Sequence, residues 1–358
     1  MTSTHKRLDP SIFDLPVEKM RAGWYTDAYF NHTRATLIEA GRHPNVVMQV
    51  FQKRNAYLGG MDEVIAILKL CAETFSDLTV HALYDGDSIE PYETVLTIEG
   101  DYTAFAHLET VYLGTLARRT LITTNTVNVL RAANGKPVIF MAARHDHHRV
   151  QTGDGYSAYV AGQIVGAPIG VTTEEQASWW GGSGLGTVPH SLIASYGGDT
   201  VAAAQHFAAW APDDMNITVL VDFENDSVRT ALEVAHALGP RLWGVRLDTS
   251  EALVDRSLWE ELGDFKPIGV NPQLVCKVRE ALDREGFDSV RIVVSGGFTV
   301  EKIREFEEND VPVDAYGVGS SLIRGSNDFT ADIVMTDGKP SAKVGRHYRP
   351  SPRLELVR

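Results

Sequence analysis

The stretch from Ile217 to Ser250 constrains the fold of this chain more than any other. Ile217, Val219, Leu220 and Val221 form an apolar run of strand length that stops at Asp222, with Glu224, Asn225 and Asp226 beyond it. Val228, Leu232, Ala235 and Leu238 then recur at helical spacing until Gly239-Pro240, and Leu242 to Leu247 forms a second apolar run that also ends in charge, at Arg246 and Asp248. Strand, helix and strand in this order make one βαβ unit. In a parallel α/β barrel the C-terminal ends of the strands converge on one face, so Asp222, Arg246 and Asp248 are expected to meet there around a ligand. The alternative is local: the acids cap the helices behind them and the arginine pairs with one of them.

The 358 residues and 44% hydrophobic content allow one large α/β domain plus a smaller one with a sizeable core. A formal net charge of -14 argues against a general nucleic-acid or membrane-surface binder, so a phosphate site has to be local. Cys71 and Cys276 are neither close in sequence nor grouped with histidines, and both are expected as core thiols in a reducing compartment. The N-terminus has no apolar signal region and no window approaches the ~20 apolar residues of a spanning helix, so the expected location is cytoplasmic.

From the N-terminus, Gly23 to Phe30 opens a helix with Asp27 placed as its cap and Tyr29 and Phe30 as core. Val46–Gln52 reads as a strand, Gly59–Phe75 carries an amphipathic helix, and Glu90–Gly100 alternates as a half-buried strand. Phe105–Asn128 is a long helix with Leu108, Val111, Tyr112, Leu116 and Thr120 on one face and Glu109, Arg118 and Arg119 read as solvated. Pro137–Ala143 is a buried strand that runs into Arg144-His145-Asp146-His147-His148-Arg149. Such crowding resists a core explanation, because a buried unpaired charge costs several kcal/mol. The H-x-H-H spacing also differs from the i, i+4 face of zinc helices.

Gly153–Gly170 is small and apolar, fitting a helix packed close to the barrel, and its following strand ends at Val171-Thr172-Thr173, where Thr173 is equally a helix cap. His190 follows a glycine-rich turn at a helix start, a position that lowers an imidazole pKa. Glu251–Gly263 and Pro272–Gly286 are expected as helices. The strand Val290–Val294 ends at Ser295-Gly296-Gly297, and Val313–Leu322 repeats the arrangement with Gly317, Gly319 and Ser320. One Gly-Gly is no more than a tight turn needs, but two such turns after the last two strands match the phosphate site of barrel folds. Near the C-terminus, Asp337-Gly338 marks a hairpin.

Several of these strings resemble the type II phosphoribosyltransferases, in particular the archaeal-type short form of nicotinate phosphoribosyltransferase. Gly186-Thr187-Val188-Pro189-His190-Ser191-Leu192-Ile193 is similar to G-T-M-P-H-A-L-I there. The Glu90-Pro91 strand ending in Ile98-Glu99-Gly100, the L-E-T-x-x-L-G of Leu108–Gly114 and the D-G-K-P-x-A-K-x-G-R of Asp337–Arg346 are similar too. The resemblance runs from Asp27 to Arg346. It implies an α/β fold, with an N-terminal α/β sandwich over residues 16–130 and an irregular, partly open α/β barrel over 131–328. A C-terminal extension over 329–358 would return to the N-terminal domain.

The activity it implies joins nicotinate to 5-phosphoribosyl 1-pyrophosphate, giving nicotinate mononucleotide and pyrophosphate, in at least a homodimer. In the implied site Asp27 and Tyr29 form the D-x-Y element that serves the pyridine. Arg144, Arg149 and Arg246 hold anionic groups, and Thr172 and Thr173 lie near the pyridine carboxylate. Ser295, Gly296, Gly297, Gly317, Gly319 and Ser320 take the 5-phosphate. Asp222 and Asp248 would hold the ribose hydroxyls and the waters of a Mg2+ ion, and His190 is the implied phospho-acceptor if ATP is coupled. The Arg144–Arg149 run departs from both D-F-G-x-R and R-K-T-x-P, which leaves the roles of His145, His147 and His148 open. Two other readings stay in view: quinolinate phosphoribosyltransferase, whose R-K-T-x-P string is absent, and a non-catalytic barrel that binds a phosphate ligand.

Overall fold

A computed structural model describes residues 7–357 apart from 262 and 264. They form two compact units, one running to Thr124 and resuming at Gly325, the other spanning Asn125–Arg324.

The first unit is built on a six-stranded antiparallel sheet in the order Lys339–Pro340, Thr330–Thr336, Asn45–Phe51, Thr94–Asp101, Thr79–Ala82 and Glu355–Leu356. The C-terminal segment thus supplies both edges and pairs Thr330–Thr336 along the central strand. Its hairpin turns at Asp337 and Gly338, both left-handed with φ of 50° and 74°, the geometry a two-residue loop needs to match strand twist. Val46, Met48, Val50, Leu96 and Ile98 pack with Ile65 and Leu68 of the helix Met61–Cys71 to form the core.

Several expectations are corrected in this unit. The strand starts at Thr94 rather than Glu90, and Tyr92 before it is left-handed. The helix Glu109–Ala132 buries Tyr112, Leu116 and Thr120 as expected, but Glu109, Arg118 and Arg119, expected as solvated, are all partly buried. Arg119, 12% exposed, pairs at 2.9 Å with Glu63 on the neighbouring helix, and Glu109 is buried enough that its carboxyl pKa is pushed up to about 8. Tyr29 is exposed, not core. Asp27 occupies the position before the helix Ala28–Glu39 without capping it, its carboxylate accepting instead from Thr110 Oγ1 at 3.0 Å.

In the second unit the strands Ile169–Val171, Val138–Phe140, Ala315–Val318, Arg291–Val294, Leu242–Leu247 and Ile217–Leu220 lie side by side in that order, all parallel. The two outer strands are joined through the segment Gly184–Val188, since Gly184 bridges Val171 and Val188 bridges Val219, both in parallel. Read around the ring, the strands then follow chain order, which is the arrangement of a barrel, here irregular and only partly closed. Apolar strands with helices between them, including Gln151–Val165, Ser227–Leu238, Pro272–Arg284 and Val300–Glu308, give this layer. Gly155 has a steric role: a Cβ there would stand 2.2 Å from the Gln176 carbonyl oxygen.

The expected helix over Glu251–Gly263 is replaced by a 3-10 segment, Arg256–Glu261, with Leu262 outside the described residues. The cause is Asp255, fully buried, whose carboxylate accepts from the N–H and hydroxyl of both Ser227 and Ser257 and ties the chain back to the preceding helix. Cys71 is buried as expected, whereas Cys276 is only half-buried.

Candidate active site

The C-terminal strand ends of the second unit surround a cleft of about 450 Å³. Arg246, near the end of Leu242–Leu247, extends three arms: Nε donates to Ser295 Oγ at 2.8 Å, one terminal nitrogen to Asp248 Oδ2 at 3.2 Å and the other to Thr187 Oγ1 at 3.3 Å. Ser295 Oγ in turn donates to Asp248 Oδ1 at 2.7 Å. Burial lowers the Arg246 pKa from its ordinary value, and the Asp248 and Asp222 carboxylates act against that. Asp248 therefore caps no helix; one of its oxygens is held by Arg246 of its own strand and the other by Ser295 at the end of the neighbouring one.

Asp222 is likewise not a cap, since the helix Ser227–Leu238 is capped by Asp226, which accepts from Arg229 N. The Asp222 side chain, 7% exposed, meets His190 Nε2 at 3.0 Å. This pairing corrects the expected sign for His190: the bond to Asp222 raises its pKa above the ordinary imidazole value despite partial burial. The helix His190–Ser195 is short, and a full carboxylate outweighs the partial charge of a helix end. Asp222 and His190 are not on the cleft wall but couple to it through charge, Asp222 acting on Arg246 and Asp248 on His190.

The two glycine turns also line the cleft, the first lying directly against Asp248, whose Oδ1 is 3.3 Å from where a Gly296 Cβ would be. Gly296 and Gly297 are both left-handed, at φ 86° and 68°. Ser321 Oγ donates to the Phe298 carbonyl at 2.8 Å and fastens the second turn, Gly317 to Ser320, to the first. Gly319 stands where a Cβ would be 2.7 Å from His145 Cε1, so the imidazole of His145 packs directly on this turn.

Arg144 is exposed on the cleft wall and, among the described residues, has no ion-pair partner. Thr172 and Thr173 also line the cleft; Thr173 is at the same time the N-cap of Glu174–Ala177, accepting from Gln176 N and donating to Gln151. Thr173 is therefore a helix cap whose position is also on the cleft wall. Arg149, His147 and His148 do not line the cleft; His147 Nδ1 accepts from the Arg149 backbone N–H, and the rings of His147 and His148 lie 4.2 Å apart. Asp27 and Tyr29 belong to the first unit.

Sequence reasoning missed the apolar part of the cleft, Ile139, Met141, Leu185 and Phe298, together with Thr187 and the Ser321 tie. Thr187 and Leu185 carried a signal, since they sit in the glycine-rich run before His190. No group of three His, Cys, Asp or Glu side chains able to hold a metal is found among the described residues. None of their helices is long and apolar enough to cross a membrane.

Comparison with known proteins agrees with this architecture. The family described as quinolinate phosphoribosyl transferase, N-terminal domain, matches residues 27–120. Nicotinate phosphoribosyltransferase pncB1 of Mycobacterium tuberculosis is 31% identical over 291 residues, covering 76% of this chain and 57% of that protein. The chain thus spans about half the length of the curated relatives it matches, 57% and 53% for pncB1 and pncB2. The crystal structure of nicotinate-nucleotide pyrophosphorylase from Pyrococcus furiosus superposes with a TM-score of 0.80 at 32% identity, over 96% of this chain and 85% of that one. Human nicotinic acid phosphoribosyltransferase, 18% identical with a TM-score of 0.65 over 88% of this chain and 75% of that one, shares the fold. A unit with a ring of parallel strands, a unit with an antiparallel sheet, and a relative matched at this identity over most of its length show that the chain belongs to the type II phosphoribosyltransferase family.

Proposed function

We propose that the cleft transfers the phosphoribosyl group of 5-phosphoribosyl 1-pyrophosphate to nicotinate, giving nicotinate mononucleotide and pyrophosphate, in the cytoplasm. The observation that carries this reading is the Arg246–Asp248–Ser295 set on two neighbouring strand ends, lining a single cleft together with two fastened glycine turns. The names of the relatives, a nicotinate phosphoribosyltransferase and a nicotinate-nucleotide pyrophosphorylase, support it.

In the proposed reaction the pyridine nitrogen forms a bond to the sugar carbon as the bond to pyrophosphate breaks, the electron pair leaving with pyrophosphate. Such a step needs positioning and charge management, not a covalent nucleophile. Asp248, oriented by Arg246 and Ser295, places a fixed negative charge near the ribose, whose ring gains positive charge in the transition state. The glycine turns take the 5-phosphate, and Arg144 takes the pyridine carboxylate or the pyrophosphate. Magnesium would neutralise the pyrophosphate when bound. The residues fit a water-mediated role toward it, since Asp248 has both oxygens engaged, Asp222 has one, and Mg2+ keeps several waters.

Nicotinate is favoured over quinolinate because Asp248 already balances Arg246, leaving Arg144, which has no ion-pair partner among the described residues, for one carboxylate. Turnover of nicotinate, nicotinamide and quinolinate, each with magnesium and phosphoribosyl pyrophosphate, tests this; faster use of quinolinate would overturn it. Coupling to ATP through phosphorylation of His190 is a further part of the proposal, with Asp222 holding Nε2 and leaving Nδ1 to accept. An acid-labile phosphate after incubation with labelled ATP would support it, and its absence in a protein active without ATP would remove it. A homodimer at least is proposed from the resemblance of Leu108–Gly114, to be checked by light scattering.

A further inference from the structure

We infer that Lys302, which lies outside the cleft, is the positioning residue that aims the Gly296–Gly297 amide into it. This rests on the reading of the cleft as a phosphoribosyl site. Lys302 sits in the first turn of the helix Val300–Glu308, and its own N–H is held by the capping Thr299 hydroxyl at 3.3 Å. From there its ammonium folds back over the Phe298 ring, 4.5 Å from the centroid, and donates to the Gly296 carbonyl at 3.3 Å. It does so from a separate cavity on the far side of the turn, lined by Glu251, Cys276, Lys302 and Glu305, with Gly297 forming part of both walls. Burial lowers the Lys302 pKa, while Glu251 and Glu305 favour its charged form.

The consequence follows from peptide geometry. The bond between Gly296 and Gly297 is planar and trans, so the Gly296 carbonyl and the Gly297 N–H point in opposite directions. Anchoring the carbonyl on Lys302 at the back turns the N–H toward the cleft at the front. Among the described residues the Gly297 N–H has no acceptor, so it is available to an anion. Two successive left-handed glycines leave this peptide free to flip, because neither orientation meets a side chain of its own. Glu251 Oε1 lies 2.1 Å from where a Gly297 Cβ would be, so a side chain at position 297 would displace that carboxylate. Without an anchor, the carbonyl would spend time facing the cleft and would repel a phosphate.

The test measures binding of ribose 5-phosphate by calorimetry, alongside the KM for each substrate, in wild type, Lys302→Met and Lys302→Arg. Methionine keeps the apolar stem and removes the donor; arginine keeps a donor. Lys302→Met is expected to weaken ribose 5-phosphate binding and raise the KM for phosphoribosyl pyrophosphate about tenfold, the value of one charged hydrogen bond. The KM for nicotinate stays near wild type, and Lys302→Arg recovers most of the loss. A Lys302→Met protein that folds and binds ribose 5-phosphate as tightly as wild type overturns the inference, as does a wild type that binds none. A wild type that binds ribose 5-phosphate but converts no pyridine overturns the proposed reaction instead. Should Lys302→Met fail to fold, the Gly297 amide resonance of wild type decides: it has to shift on saturation with ribose 5-phosphate, and an unmoved resonance overturns the role.

Discussion

Ser295 and Asp248 meet across two strand ends, hydroxyl to carboxylate at 2.7 Å, and this contact fixes the plane of the one acid that faces both Arg246 and the glycine turns. An asparagine fits the same place. Its carbonyl would accept from Arg246 and its amide nitrogen would face Ser295, whose hydroxyl has a second acceptor in the Leu247 carbonyl at 3.2 Å. Asp248→Asn is therefore expected to melt close to wild type. The loss of a full charge beside a sugar that becomes cationic is worth about 3 kcal/mol, so turnover should drop roughly a hundredfold. Thermal melts and steady-state rates on one preparation check both halves, and a near-normal rate would take Asp248 out of the reaction.

His190 offers a second measurement. Its bond to Asp222 raises its pKa, so the pair adds stability that is complete below the unfolded imidazole pKa and is lost as pH rises through the folded one. Asp222→Asn removes the charge, and the His190 ring is expected to titrate at lower pH in an NMR titration, with a shallower loss of stability above neutrality. An unchanged titration would mean that another group sets its charge.

Glu109 should shape the pH dependence of the first unit. Burial, then the charges of Asp332 and Asp27, push its pKa up to about 8 against an ordinary 4.5. The folded state thus holds a proton that the unfolded state has already released, and stability falls as pH rises between those two values. Glu109→Gln keeps the shape of the protonated acid. Its melting temperature should match wild type near pH 5 and exceed it by a few degrees near pH 8, read by calorimetry at the two pH values. Equal melting temperatures at both would show that Glu109 is solvated when charged.

Much of the barrel was readable in the sequence because its strands are short apolar runs cut off by charge, and Asp222, Arg246 and Asp248 stood at those ends. The Asp337-Gly338 hairpin was readable for a similar reason, a turn chemistry that few other conformations accept. Contacts at long sequence separation were not. A helical period cannot show that Arg119 turns inward to Glu63, or that Asp255 reaches back to Ser227 and stops a helix. The sign of the His190 shift failed likewise, because the local helix start was visible and Asp222, 32 residues away, was not weighed as its partner. Lys302 looked like any charged residue in the first turn of a helix; only the direction of its ammonium distinguishes it.

The manner in which the ring closes has a thermodynamic consequence. Each strand of the sheet is held by a ladder, but Gly184–Val188 is attached by one bridge at each end, with Leu185 N donating to Val171 at 2.7 Å and Val188 N to Thr218 at 2.8 Å. Releasing it breaks few hydrogen bonds and leaves the other strands paired, so its amides should exchange with solvent through local opening, well before those of Val245 or Ile292. Leu185 and Thr187 of this segment also line the cleft. A ligand that touches them stabilises the closed form by mass action, so their exchange should slow with ligand concentration while the rest of the ring barely responds. Protection confined to these amides would identify the seam of the barrel as the part of the fold that senses occupancy.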